Sequence, residues 1–400
     1  MLNEKLTGKH KGFIVMSFWA YVVISVPLTV QGSLAPVTME FFGINATQQG
    51  FIMTMQATGG LGASLFIALN GERYNKIHAL SFGLFVICIM GAMISTVHVY
   101  AVLLIMVVAM GVGVTFIDIM NNGVISDVYP KKKNTLLPLV HGFFAVGAMI
   151  VPGVVTFLTD PGRPETFSRP FQVLFFLALA VGVGYLFFGR RILPDTPYKK
   201  MDAMKQRVAD NPAEVFKTKK AWFFIAVGIL YTTYQVGTIM WLPTFMIRNT
   251  GVDFYTGGMA LTVFFAGNLV MRFTGPLFFR VLSPRIVYAV FGAIAAVLMA
   301  CALFTENITL AFILLAAAGF MQGSSVAAFL LICIDAFPGR TASASSILTV
   351  TIGISTLTAP LWMGALSRYT GFLTPMIMIC CCLFATSALI FFFKGKPSVE

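Results

Sequence analysis

The sequence predicts an all-α membrane protein of twelve transmembrane helices, arranged as two six-helix halves of similar pattern. Three observations carry that prediction. The 400-residue chain is 58% hydrophobic and 10% charged, where soluble domains carry about 25% charged residues, and its mean hydropathy is +0.87. Apolar runs of about 20 residues, long enough to span a bilayer as helices, recur from end to end. Residues of the first half also return, in type and spacing, in the second.

The spans follow in order. The first, 12–36, opens after a basic N-terminal stretch and is read as ending at Pro36. The second, 46–70, runs up to the charged loop around Glu72 and Arg73, and the third, 78–97, follows Lys76. The fourth, 99–127, ends at "SDVYP", and the fifth, 136–159, lies between Lys131–Lys133 and Asp160. The sixth, 171–192, ends in Arg190 and Arg191. A long polar break at 193–220 reads as a cytoplasmic linker between a half at 1–192 and a half at 221–400. Beyond it come 221–247, 256–279, 285–304, 308–335, 342–366 and 371–393, each bounded by charge, Gly or Pro.

Charge placement orients the spans. The formal net charge is +12, which by itself would suit a nucleic-acid partner. With the N-terminus inside, however, 22 of the 27 Lys and Arg fall in cytoplasmic segments, and only Arg163, Arg169, Arg248 and Arg368 fall outside. This positive-inside bias places both termini in the cytoplasm, in a bacterial inner (cell) membrane. The basic clusters read as topology signals and contacts to anionic lipid, and no nucleic-acid partner is expected. The first run is too long for a cleavable signal and lacks a small-x-small site, so it predicts an uncleaved anchor. Cys88, Cys301, Cys333, Cys380, Cys381 and Cys382 all lie inside apolar spans, which predicts packing rather than disulfides or metal ligation.

The repeat has a constant offset. Gly43, Gly50, Gly111, Asp127, Pro130 and Pro152 return 208 positions later as Gly251, Gly258, Gly319, Asp335, Pro338 and Pro360, and Pro36 returns 207 later as Pro243. "SDVYP" and "IDAFP" close equivalent spans at the inner face. Two six-helix halves related by a parallel repeat form a transporter architecture.

On these residues the chain resembles the major facilitator superfamily. "ALNGERYNK" (68–76) is similar to its acidic-basic loop, with Glu72 for the usual Asp and Asn75 for the usual Gly. "GPLFFRVLSPR" (275–285) is its counterpart, with Phe279 at the acidic position. Within the superfamily, "GVGVTFIDIMNN" (111–122) and "LVHGFFAVGAMIVP" (139–152) resemble patterns of the fucose–galactose–glucose proton symporter family and related sodium-dependent glucose transporters. Asp118 and Asn122 fall on that family's Asp and Asn, and His141 on its His. "TYQVGTIMWLPTF" (233–245) departs from it, with Gln235 where a Glu often stands six residues before Trp241. The resemblance implies that spans one, four, seven and ten line the transport site.

The costly polar residues mark candidate sites. Asp118 lies nine residues before Asp127 at the inner end of its span, roughly 13 Å at 1.5 Å per residue. That is near the middle of the hydrocarbon core. An unpaired ionised carboxylate there costs several kcal/mol, so it must face protein or water, or stay protonated. A carboxylate that changes state in this way can couple transport to H⁺ or Na⁺, and His141 is a second candidate for ion coupling. Thr115, Asp118 and Asn122, with Asn121 adjacent, form a polar stripe suited to hydroxyl groups. Arg272, midway along span eight, keeps its charge and needs a partner, either Asp118 or an anionic substrate. Gln235, Trp241, Asn268 and Gln322 complete the expected substrate-binding set.

The expected function is secondary active transport of a small polar solute, with sugar favoured, by alternating access coupled to H⁺ or Na⁺. Alternatives are an organic-anion carrier, a proton-coupled drug antiporter, and a non-transporting sensor or scaffold. No G-x-x-x-x-G-K-[ST] loop and no H-E-x-x-H motif occurs, so ATP-driven transport and metallohydrolase chemistry are not expected. No cofactor beyond the coupling ion is expected, and the chain is expected to act as a monomer.

Overall fold

A computed structural model describes residues 8–70, 74–129, 132–192, 217–337 and 341–393. The expected loop residues Glu72 and Arg73, most of the linker, Pro130, Pro338 and Arg340 lie outside the described residues. Twelve helices long and apolar enough to cross a membrane are present among those described, and no strand. They are α1 Gly8–Phe42, α2 Ala46–Asn70, α3 Lys76–Met93, α4 Tyr100–Val128, α5 Lys133–Leu158 and α6 Arg169–Ile192. The second set is α7 Lys219–Thr250, α8 Phe254–Phe278, α9 Pro284–Phe304, α10 Ile308–Ala336, α11 Thr341–Thr370 and α12 Leu373–Phe392. The all-α fold class predicted from composition and periodicity is the one observed.

Three features depart from the expected spans. First, α1 does not stop at Pro36 but continues through Pro27 and Pro36 to Phe42. Proline is tolerated inside membrane helices because neighbouring groups take up the freed backbone carbonyls. Second, α9 carries a π-helical turn at Val287–Phe291, directly after its first three residues. Third, α10 is broken into Ile308–Gln322 and Ser325–Ala336, with Gly323 and Ser324 between the pieces.

Helix ends are fixed by local chemistry. Asn45 and Gln48 form a reciprocal capping box, each side chain accepting the other's backbone N–H at 3.0 Å. The Oδ1 of Asn75 accepts from the N–H of Ile77 and His78, that of Asp253 from Thr256, and that of Asn307 from Leu310. Gly43 (φ 62°) and Gly251 (φ 70°), separated by the repeat offset, end α1 and α7 in the left-handed conformation that glycine adopts without strain.

The chain divides into two compact units, Met1–Ile44 with Phe51–Lys200 and Asn45–Gly50 with Met201–Glu400. Within the first, α1 packs against α4, α5 and α6, and α3 against α4 and α6. Within the second, α7 packs against α8, α11 and α12, and α9 against α10 and α12. The outward surfaces of many helices are apolar: Phe157 is 82% and Ile105 70% exposed. Side chains of this kind suit contact with lipid.

The repeat is visible in the closest helix contacts. In the first unit, a Cβ on Gly59 would strike the Val108 carbonyl, and one on Gly111 the Gln56 carbonyl. In the second, a Cβ on Gly267 would strike the Ala316 carbonyl, and one on Gly319 the Phe264 carbonyl. All four residues of the second set lie 208 positions beyond their counterparts. Backbones at this separation admit only glycine.

One further pair exchanges its small member. In the first unit Gly60 faces the Thr115 hydroxyl, while in the second the equivalent positions hold Asn268 facing Gly323.

Candidate functional site

In the first unit, the polar stripe of α4 is read by α1. The Tyr21 hydroxyl donates to Asp118 Oδ1 at 2.5 Å and reaches Asn122 Oδ1 at 2.9 Å, while Asn122 Nδ2 donates to the same Asp118 oxygen at 3.1 Å. Asp118 and Asn122 stand one helical turn apart, so both meet a single phenol from the facing helix. Tyr21 carries one proton, and the shorter bond to the carboxylate claims it, in the range of charge-assisted O–H···O⁻ contacts. Tyr21 is buried and Asp118 half-buried. The exposed His141 ring of α5 meets the Tyr21 ring edge-on at 4.8 Å.

Asn121 faces elsewhere. Fully buried, it accepts the Tyr185 hydroxyl of α6 at 2.6 Å. Tyr185 Oη also lies 2.9 Å from Ser17 Oγ. The Ser17 hydroxyl also reaches the Phe13 carbonyl at 3.1 Å, so its one proton has two acceptors within range. The half-buried Thr115 lies against Gly60 at the α2–α4 contact. Of the four α4 residues expected at one site, Asp118 and Asn122 come together, Asn121 joins a second network on α6, and Thr115 sits in a helix seam.

The second unit carries the opposite charge. Arg272 on α8, half-buried, donates from Nε to Asn268 Oδ1 one turn earlier at 2.9 Å. Gln322, 1% exposed, ends the first piece of α10, and neither of its amide atoms has a hydrogen-bond partner. Trp241 on α7 is fully buried, its ring 5.3 Å from that of Phe372 and its indole N–H without a partner. Gln235 is half-buried on the same helix.

Sequence reasoning missed Tyr21 and Tyr231. Tyr21 supplies the shortest bond to Asp118. Tyr231 on α7 is buried near Arg272 and lies beside Ser325, without a well-formed hydrogen bond between them. A tyrosine in an apolar run reads as packing, and nothing in the linear pattern points from residue 21 to residue 118. Among the described residues, no group of three or more His, Cys, Asp or Glu is placed to hold a metal.

The two units keep their scaffold and differ in these polar groups. At the repeat offsets, Tyr21 corresponds to Gly228 and Asp118 to Val326, whereas Arg272 corresponds to Ser64. Asp118 thus belongs to one half and Arg272 to the other.

Comparison with known proteins agrees with this architecture. Residues 13–304 match the family model of the Major Facilitator Superfamily. A Protein TsgA homolog of Buchnera aphidicola (subsp. Acyrthosiphon pisum, strain Tuc7) is 20% identical over 311 residues, 74% of each chain. An uncharacterized MFS-type transporter, YfkL, of Bacillus subtilis (strain 168) is 22% identical over 57% of this chain and 59% of its own length, so that match spans under two thirds of the relative. Among solved structures, an inward-facing, unoccupied bacterial homolog of the human lysosomal transporter Spinster superposes with a TM-score of 0.79 at 15% identity, covering 96% of this chain and 97% of the other. A D-xylose-proton symporter gives 0.78 at 12% identity, covering 97% and 98%. A point mutant of the nucleoside transporter NupG gives 0.76 at 14%, covering 95% and 98%.

Proposed function

Because the chain belongs to the major facilitator superfamily, and is thus a multi-pass membrane transporter rather than an enzyme, we propose that it carries a small polar solute by alternating access coupled to H⁺ or Na⁺. The observation that carries this reading is the bonding of Asp118. Tyr21 and Asn122 both donate to its Oδ1 from helix faces at membrane depth. An intramembrane carboxylate whose partners come from two facing helices can take up an ion in one conformation and release it in another. The edge contact of His141 on Tyr21 puts a second ionisable ring beside the same phenol.

A sugar-like solute is favoured. The motif resemblance of α4 and α5 supports it, as does the supply of neutral donors and acceptors in Asn122, Gln235, Trp241, Asn268 and Gln322. On the distribution of its Lys and Arg we place the protein in the inner (cell) membrane with both termini cytoplasmic, and in this reading it acts as a monomer. An organic-anion carrier is the second reading, favoured by Arg272.

The test is uptake into proteoliposomes under an imposed H⁺ or Na⁺ gradient, with labelled D-glucose, D-galactose and D-gluconate. The wild-type protein is expected to accumulate at least one of them. Asp118→Asn is expected to lose accumulation and keep exchange of the same solute across the membrane. Full accumulation by Asp118→Asn would sink the coupling role.

A further inference from the structure

The break in α10 has no counterpart in α4, which runs unbroken from Tyr100 to Val128. It falls mid-span, and the second piece, Ser325–Ala336, is a 12-residue helix whose N-terminus lies inside the protein. The first N–H groups of any helix lack intrahelical partners, and its N-terminus carries partial positive charge. Here the capping residue does not satisfy them. Ser324 makes no side-chain cap bond, and its hydroxyl donates instead to the Met271 carbonyl of α8 at 3.2 Å.

That same contact places the break beside Arg272. A Cβ on Gly323 would strike the Asn268 carbonyl and approach Met271 Cβ, so the turn lies directly against the stretch of α8 that bears Asn268 and Arg272. On either side of the turn stand buried polar groups without hydrogen-bond partners: both amide atoms of Gln322 and the hydroxyl of Ser325, each residue 1% exposed. The buried Tyr231 hydroxyl closes the group from α7. Among the described carboxylates of this half, Asp253 caps α8, Glu306 lies between α9 and α10, and Asp335 is at the end of α10.

We propose that this break is an oxyanion-binding site, and that the transported solute is a hydroxylated acid rather than a neutral sugar. The inference rests on the transport reading above and narrows its substrate class. The guanidinium of Arg272 and the N–H groups of the Ser325–Ala336 helix take the carboxylate or phosphate. Gln322 supplies an amide donor to the same group and a carbonyl acceptor for a neighbouring hydroxyl. Arg272 stays oriented by its bond to Asn268.

The experiment compares D-gluconate, D-glucose 6-phosphate and D-glucose at matched ionic strength. It measures the melting temperature of the purified full chain and uptake into proteoliposomes. One or both anions are expected to raise the melting temperature and D-glucose to leave it unchanged. A response to gluconate alone assigns a carboxylate and one to the phosphate alone a phosphoryl group. Arg272→Gln is expected to weaken the response by about ten-fold or more, as for loss of a hydrogen bond to a charged group. Arg272→Lys should fall between, because lysine keeps the charge and loses the planar fork. Gln322→Leu, which keeps the charge and removes the unsatisfied amide, should also weaken the response, and it carries the test should the Arg272 variants fail to fold. Equal responses in wild type and Gln322→Leu or Arg272→Gln overturn the proposal, as does no response to either anion. Ion-driven uptake of D-glucose with none of the acids would sink the oxyanion site and leave the transport reading intact. Anion binding without ion-driven uptake of any solute would sink the transport reading and leave the site standing.

Discussion

Tyr21 and Asp118, 97 positions apart in the chain, meet at 2.5 Å between α1 and α4. The phenol gives its one proton to Asp118, and Asn122 donates to the same oxygen, so removing the hydroxyl tests the arrangement. Tyr21→Phe keeps the ring that packs on His141 and deletes only the donor. A hydrogen bond to a charged group contributes about 1.5–3 kcal/mol. Tyr21→Phe is expected to lower ion-driven accumulation severalfold more than it lowers exchange. Equal loss of both would assign the phenol to packing alone.

The second network predicts a different signature. Tyr185→Phe leaves the fully buried Asn121 without its donor, and an orphaned buried polar group costs about 1–3 kcal/mol. A lower melting temperature is expected, with the ion dependence of transport unchanged. A shift in that dependence would tie Asn121 to the coupling site.

The glycine seams predict where size is forbidden. Gly111→Ala and Gly319→Ala each drive a methyl into a facing carbonyl, and overpacking of this kind costs about 1–3 kcal/mol. Gly62→Ala meets nothing within 4 Å and serves as the control, expected to change stability by no more than about 0.5 kcal/mol. Melting curves of the three variants decide the matter. Equal stability of Gly111→Ala and Gly62→Ala would contradict the seam.

Asp253 offers a pH-dependent test outside the membrane. The backbone N–H and then the hydroxyl of Thr256 hold its carboxyl below the usual carboxylate range. A depressed folded-state value means the stabilisation is present above the ordinary carboxylate range and is lost as pH falls through the folded value. Asp253→Ala should therefore melt lower than wild type at pH 7, by an N-cap contribution of about 1 kcal/mol, and the two should converge in strong acid. A gap that persists there would assign the effect to something other than the ionised cap.

The fold was legible in the sequence because bilayer thickness sets span length, and backbone satisfaction inside lipid leaves few architectures. The repeat was legible because Gly43 and Gly251, or Gly111 and Gly319, do jobs no other residue does. Asp118 and Arg272 were legible as candidates for a related reason: their cost at mid-membrane is high whatever surrounds them. Their surroundings were not legible. Tyr21 and Tyr231 look like any aromatic in an oily run, and only the third dimension brings them to a charge. The stripe Thr115–Asp118–Asn122 shares a face in projection, yet helix α2 takes Thr115 and helix α1 takes the other two. Pro36 suggested an end that the membrane helix does not have. Nothing in the linear pattern marked Gly323 and Ser324 as the place where α10 breaks.

The exchange between Gly60–Thr115 and Asn268–Gly323 bears on how such halves are compared. Each seam needs one partner without a side chain, and either helix can provide it. What is kept is one glycine at the contact, not the identity of either member. A column-by-column alignment of the two halves therefore scores two differences at a place where a single requirement is met from opposite helices. Kinship between the halves is better sought by summing side-chain volume across facing positions, and glycine lost on one helix becomes a reason to look for glycine gained on its neighbour.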